Sequence, residues 1–152
     1  MYERILCPID GSPTSHRGLQ EAIALALDRK ATLRIVHVVD LQSALSGYGG
    51  MGVPAEVLDS MRRGGAEALS KARDEARSRG VDIEDQLAES TVGRVAEVIV
   101  QAARDWKADL LVVGTHGRRG VSHLFLGSDA EAIARLSPVP VLLVRATEAA
   151  AP

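Results

Sequence analysis

The chain has 152 residues and a formal net charge of −2, with 46% hydrophobic and 25% charged residues. This composition excludes a fibrous or disordered chain, and it argues against a nucleic-acid partner, which a basic excess would accompany. The length suits one domain, which we place at 1–146 with a tail at 147–152. Because we find neither the apolar core of a signal peptide nor a membrane span of ~20 apolar residues, we expect a cytoplasmic protein with no membrane partner.

The first half of the chain alternates between strand and helix patterns. A short apolar run over 3–9 predicts a buried strand, and apolar residues at helical spacing predict a helix over 13–29. The β-branched residues of 31–39 are typical of a strand buried on both faces. Residues 41–54 have no period and contain four glycines in six residues. We interpret them as a flexible loop, either a flap near a site or a surface insertion.

The second half continues the alternation. A helix should run to about Arg79 although Gly64 and Gly65 lie inside it, each costing about 1 kcal/mol relative to alanine; close packing or a kink would account for them. Residues 81–89 alternate with polar side chains as an edge strand does. A helix over 92–107 and a strand over 109–113 follow. The element order predicts an α/β domain with a parallel sheet and helices on both faces.

A glycine-rich segment follows the strand at 109–113. It reads Gly114-Thr-His-Gly117-Arg-Arg-Gly120 and closes at Gly127-Ser128, where a helical pattern begins. Glycine can take positive φ and lets backbone N–H groups approach a ligand closely. Those groups and the dipole of the following helix favour a phosphate. A loop that only connects the strand to the helix would contain turn glycines too. The spacing of the glycines therefore has to distinguish a phosphate-binding loop from a simple connection.

The spacing Gly114-x2-Gly117-x9-Gly127-Ser128 resembles the nucleotide-binding signature of the universal stress protein family, G-x2-G-x9-G-[S/T], with every fixed position filled. Three other stretches also resemble that family. The stretch at 5–12 is similar to its first strand with the terminal aspartate, 37–40 to the end of its second strand, and 137–145 to its last strand. The resemblance therefore extends from about Tyr2 to Arg145.

The resemblance implies a Rossmann-like fold of the adenine nucleotide alpha hydrolase-like type. Its sheet is open and parallel, with five strands in the order 3-2-1-4-5. Ligands of such sheets bind at the carboxyl ends of the strands, where the strand order reverses. The reversal falls between strands one and four, so Asp10 and Gly114 should meet at one crevice.

The resemblance also implies the ligand, ATP or the shorter ADP or AMP, with Mg²⁺ as an ion that the nucleotide could bring. The base and ribose would be bordered by Pro8, Ile9, Asp10, Val38, Val113 and Gly114. The phosphates would be held by Gly117, Gly127 and Ser128, with Asp129 and Ala130 beside them. For Asp10, an Asx-turn or a cap of the first helix is an alternative role that can coexist with binding.

Asp129 departs from the family pattern, which often has a small or apolar residue after the Gly-Ser pair. The helix dipole favours a carboxylate in the first turn by about 0.3–1 kcal/mol, but the same charge repels a triphosphate. Either a metal ion or the pair Arg118 and Arg119 offsets this charge, or Asp129 points to solvent, or the site prefers fewer phosphates. The sequence leaves these alternatives open.

No metal site made by the protein is predicted. His116 and His123 flank the loop at a spacing that fits no standard ligand pattern. His37 lies in an apolar strand and is interpreted as a core histidine with a hydrogen-bond partner. Cys7 is the only cysteine, which excludes an internal disulfide, and we interpret it as a buried small side chain.

Three functions are consistent with these features. The resemblance favours a dimeric, nucleotide-dependent switch of the stress response that acts on an unidentified protein partner. The second is a slow ATPase or self-phosphorylating enzyme, for which we identify no catalytic residue, since the chain lacks a G-x4-G-K-[S/T] motif and has no lysine in the loop. We expect weak ATP hydrolysis at most. The third is a nucleotide-independent dimeric scaffold.

The homodimer is predicted from the last strand. Residues 139–144 are nearly all apolar and would form an edge of the sheet, and an exposed edge of that kind pairs readily with another chain. The resemblance implies the same arrangement. Cover by the tail is the alternative.

Overall fold

The computed structural model describes residues 1–116 and 126–146. Predictions for Gly117, Arg118, Arg119 and His123 therefore lie outside the described residues, as does the tail predicted at 147–152. Within the described ranges, no helix is both long and apolar enough to cross a membrane.

The described residues form five strands and five helices. In chain order these are β1 (Arg4–Pro8), α1 (Pro13–Arg29), β2 (Thr32–Val39), α2 (Leu41–Gly47), α3 (Ala55–Ser78), β3 (Ile83–Glu89), α4 (Val95–Trp106), β4 (Leu110–Gly114), α5 (Ser128–Leu136) and β5 (Val141–Val144). The strands are parallel and form one sheet in the order β3-β2-β1-β4-β5. The predicted strand order and the two edge positions are confirmed.

The sheet is covered on both faces because its central strands carry buried apolar side chains on both sides. Successive side chains of a strand point to opposite faces, so Ile5 and Cys7 pack with α1 and α3, while Leu6 packs with α4 and α5. Cys7 is fully buried, and this burial raises the pKa of its thiol to about 12. The prediction of Cys7 as a buried small side chain is confirmed.

The prediction of an irregular loop over 41–54 is wrong for its first seven residues, which form α2. Asp40 accepts a hydrogen bond from the Ser43 N–H at 3.0 Å, and an aspartate at this position stabilises a helix start. Leu41 is buried, and the Gln42 N–H donates to the Ser90 carbonyl at 3.1 Å. These contacts stabilise a helix although the segment lacks apolar residues at helical spacing. The glycines of this segment that have positive φ lie after the end of the helix.

The two glycines inside α3 have different surroundings. A Cβ built on Gly65 would lie 2.5 Å from Cδ2 of His37 and 2.8 Å from Cδ1 of Leu87, whereas one on Gly64 would meet nothing within 4 Å. Close packing is therefore the correct explanation for Gly65, since the missing side chain lets α3 approach the sheet.

The start of α4 is three residues later than predicted, at Val95 rather than Val92. Gly93 has a φ of +92° and Arg94 is extended with a ψ of 155°. This left-handed glycine stops the helical pattern from extending backwards and places Arg94 at the helix N-cap.

Candidate functional site

An open cleft lies at the carboxyl ends of β1 and β4, where the strand order reverses. The two strands are neighbours in the sheet, but α1 after β1 packs on one face and α5 after β4 packs on the other. The chain therefore diverges at this point and leaves a crevice. The predicted site residues that line it are Pro8, Ile9, Asp10, Val38, Val113, Gly114, Gly127, Ser128, Asp129 and Ala130. The structure brings these ten together, and their contacts with a ligand stay a prediction.

Asp10 is held at the crevice by the turn that leads into α1. Its Oδ1 accepts from the Ser12 N–H at 2.8 Å, and its own N–H donates to Ser15 Oγ at 3.0 Å. Ser12 Oγ in turn accepts from the Ser15 N–H at 3.1 Å, which caps α1. The Asx-turn alternative for Asp10 is thus present and the cap belongs to Ser12. Asp10 is fixed in place on the wall of the cleft.

His37 supports the floor of the cleft. The side chain is 5% exposed, and its Nδ1 pairs with the Ile9 carbonyl oxygen at 2.9 Å. A carbonyl accepts only, so Nδ1 carries the proton and donates. The interpretation of His37 as a core histidine with a partner is confirmed. Its bond fixes the backbone immediately before Asp10.

Gly114 serves the site by its small size. A Cβ at this position would lie 2.6 Å from the Thr14 carbonyl oxygen, so only glycine lets the start of α1 lie against the end of β4. Gly114 and Gly127 do not use the positive φ that glycine can take, since neither is among the described glycines with positive φ, and Gly127 has a φ of −58°.

Thr115 was missed by the sequence analysis, although it closes the base of the glycine-rich loop. Its N–H donates to the Val144 carbonyl at 2.9 Å, and its carbonyl accepts from the Gly127 N–H at 2.6 Å. Its hydroxyl pairs with Nδ1 of His116 at 2.9 Å. A threonine between Gly114 and a histidine carries no periodic signal that would have shown these roles. Through these backbone hydrogen bonds, Thr115 links the end of β5 to the residue that precedes α5.

The start of α5 lines the cleft. Gly127 is the N-cap and has no side chain that could accept from the first N–H groups of the helix. Ser128 is the first helical residue, Asp129 lies in the first turn, and Ala130 is buried. Uncapped N–H groups at a helix N-terminus favour an anion. The arrangement is therefore suited to a phosphate.

Two further groups line the cleft beside the predicted site residues. Four residues of α2 form one wall, which agrees with the flap alternative for this segment: Gln42, Ser43, Ala44 and Ser46. Gly93, Arg94 and Val95 border the cleft at the start of α4. The sequence feature that could have predicted α2 is Asp40, a residue type that favours the N-cap of a helix. Arg94 gave no signal because its position depends on how α4 packs against α5.

The described residues contain no group of three or more His, Cys, Asp or Glu side chains arranged to hold a metal ion.

Comparisons with known proteins agree with this architecture. The model of the universal stress protein family matches residues 1–145. A universal stress protein of Thermus aquaticus is 40% identical over 146 residues, covering 95% of this chain and all of the relative. The structure of a family member from Burkholderia pseudomallei superposes with a TM-score of 0.78 at 34% identity, covering 95% of this chain and 97% of that one. A universal stress protein solved in complex with cAMP has a TM-score of 0.67 at 28% identity, covering 96% of this chain and 98% of that one.

Proposed function

This chain belongs to the universal stress protein family, and from that membership and the form of its cleft we propose that it binds an adenine nucleotide. The observation that carries the proposal is the meeting of Asp10, Gly114 and the start of α5 at one crevice. The related protein solved with cAMP supports an adenine nucleotide as the ligand class. ATP is the proposed ligand, with ADP and AMP as shorter alternatives and Mg²⁺ entering with the nucleotide.

The cleft offers different chemistry to the two halves of a nucleotide. Val38 and Val113 provide apolar surface for the base, and Asp10 provides a carboxylate that can accept from ribose hydroxyls. At the other end, α5 begins at Ser128 with no side-chain cap, so its first turn can donate N–H groups to the phosphates. We propose this division because an apolar pocket favours a planar base, and a helix N-terminus favours an anion.

The proposal is tested by calorimetric titration of nucleotide-stripped protein with ATP, with Asp10→Asn as the variant. An asparagine retains the oxygen that accepts from the Ser12 N–H, so the turn and the fold should persist. Loss of a charged hydrogen-bond partner for the ribose should weaken binding by roughly tenfold or more. Correctly folded wild-type protein that binds no adenine nucleotide would overturn the proposal.

We further propose that the protein acts as a homodimer joined through β5. Leu142 and Leu143 are 38% and 37% exposed on this edge strand, and pairing with a second copy would cover them. Thr115 supports a link between the cleft and this edge, since it bonds both to Gly127 at the loop and to Val144 of β5. Nucleotide binding would thereby alter the dimer or its affinity for another protein.

The switch is tested by measuring the dimer dissociation constant by light scattering with and without saturating ATP. A severalfold change in the dimer dissociation constant on addition of ATP supports the switch. A constant unaffected by ATP would leave a nucleotide-binding dimer without the switch. We propose no catalytic residue, and hydrolysis beyond a weak background would contradict a binding function.

A further inference from the structure

We propose that Arg94 binds the outer phosphates of the nucleotide and so makes the cleft prefer a longer phosphate chain. The inference rests on the proposed nucleotide site and names a contact that selects among its ligands. It assigns a function to an exposed arginine at the N-cap of α4.

The first argument is the charge of the cleft. Its described lining includes the acidic residues Asp10, Asp40 and Asp129, and Arg94 is the one lysine or arginine in that described set. A polyphosphate carries more negative charge than a monophosphate, so it is repelled more strongly by Asp129 in the first turn of α5. A guanidinium that lines the same cleft offsets this repulsion and donates to phosphate oxygens in a fixed, forked geometry.

The second argument is placement. Helices α4 and α5 pack together on one face of the sheet through residues such as Ile99 and Ile133. Both follow parallel strands, so both begin at the edge where the strands end. Arg94 before α4 and Ser128 at the start of α5 line the same cleft. A phosphate chain anchored at Ser128 therefore has the start of α4 beside it.

The third argument is that the helix gains nothing from an arginine at this position. A helix N-cap normally carries an oxygen that accepts from the first N–H groups, and a guanidinium can only donate. Glu97 bonds to the backbone at this position, where its Oε2 accepts from the Arg94 N–H at 3.0 Å. Within residues 1–116 and 126–146, no side-chain hydrogen bond caps α4 and no ion pair includes Arg94. Capping and ion pairing therefore leave this side chain unexplained, whereas a phosphate partner accounts for it.

The test is Arg94→Asn, titrated with adenosine, AMP, ADP and ATP in the presence of Mg²⁺. Asparagine removes the charge and is a preferred N-cap, so the variant should be at least as resistant to thermal unfolding as the wild type. Its affinity for ATP should fall roughly five- to tenfold, and its affinity for AMP or adenosine less than twofold. The wild type's ATP affinity should also fall more steeply with added salt than that of the variant.

Arg104→Gln is the matched control. It removes the same charge from the exposed last turn of the same helix, away from the cleft, and should leave all four affinities unchanged. An equal loss for AMP and ATP in Arg94→Asn, or no loss for either, would overturn the role of Arg94 while the nucleotide site stands. A wild type that binds none of the four ligands would overturn both proposals.

Discussion

The two edges of the sheet are built in opposite ways. Along β3, three acidic side chains pair with arginines of β2 and α3: Glu84 with Arg34, Asp85 with Arg73, and Glu89 with Arg62. Strand β5 has the sequence VLLV, with no charge and two leucines more than one-third exposed. Charged side chains protect an edge from pairing with another chain, and a flat apolar edge invites it. The difference indicates that one edge is closed to association and the other is available for it.

The largest effect is expected from a charge placed on the apolar edge strand β5. Leu143→Lys should weaken the proposed dimer by about 100-fold or more, because a symmetric interface would bury the new charge twice. Analytical ultracentrifugation over nanomolar to micromolar concentrations measures the change.

Leu87→Lys is the control on the other edge. Leu87 lies on β3 and is 40% exposed, close to the exposure of Leu143, so the two substitutions are matched in chemistry and accessibility. The control should leave association unchanged. A Leu143→Lys protein that stays dimeric in the micromolar range would show that β5 is not the interface.

A second prediction concerns the helix that backs the β3 edge. Gly65→Ala should lower the free energy of unfolding by about 1–3 kcal/mol, because the new methyl overlaps His37 and Leu87. Gly64→Ala, one position earlier and free of contacts, should raise it by up to about 1 kcal/mol through helix propensity. Urea denaturation measures both. Equal effects at the two positions would mean that α3 does not pack closely against β2 and β3.

The smallest expected effect is the pH dependence of the charged edge. Hydrogen bonding by Arg34 holds the pKa of Glu84 below its ordinary value of 4.5. A lowered folded-state pKa gives stability that is present above the unfolded value and is lost as pH falls through the folded one. The Tm of the wild type should therefore exceed that of Glu84→Gln above about pH 4.5, and the difference should shrink as the pH falls below that value. A difference in Tm that does not vary with pH would show that the ion pair between Glu84 and Arg34 is not its cause.

Much of the fold followed from the sequence because its strong signals are local. The apolar runs of the central strands and the helical spacing of α1 needed no tertiary information, and the family resemblance supplied the strand order. The same information placed Asp10 and Gly114 at one crevice. These residues could be assigned because each stands at the end of a buried strand.

The remaining features depend on contacts between distant segments. Helix α2 is stabilised by its bonds to Asp40 and Ser90, and the role of Thr115 appears only when β5 and α5 meet at its backbone. Arg94 lines the cleft because α4 packs on α5. No periodicity encodes such contacts, so sequence patterns identified the elements and missed these links between them.

Cys7 has a practical consequence. With no exposed surface and a thiol that stays protonated up to about pH 12, it should be silent toward alkylating reagents in the folded protein. A cysteine introduced on an exposed helix or at an edge would then be the one reactive thiol of the chain. Fluorophores or spin labels can thus be attached at a chosen position on the native background, and distances across the proposed dimer can be measured without replacing any core residue.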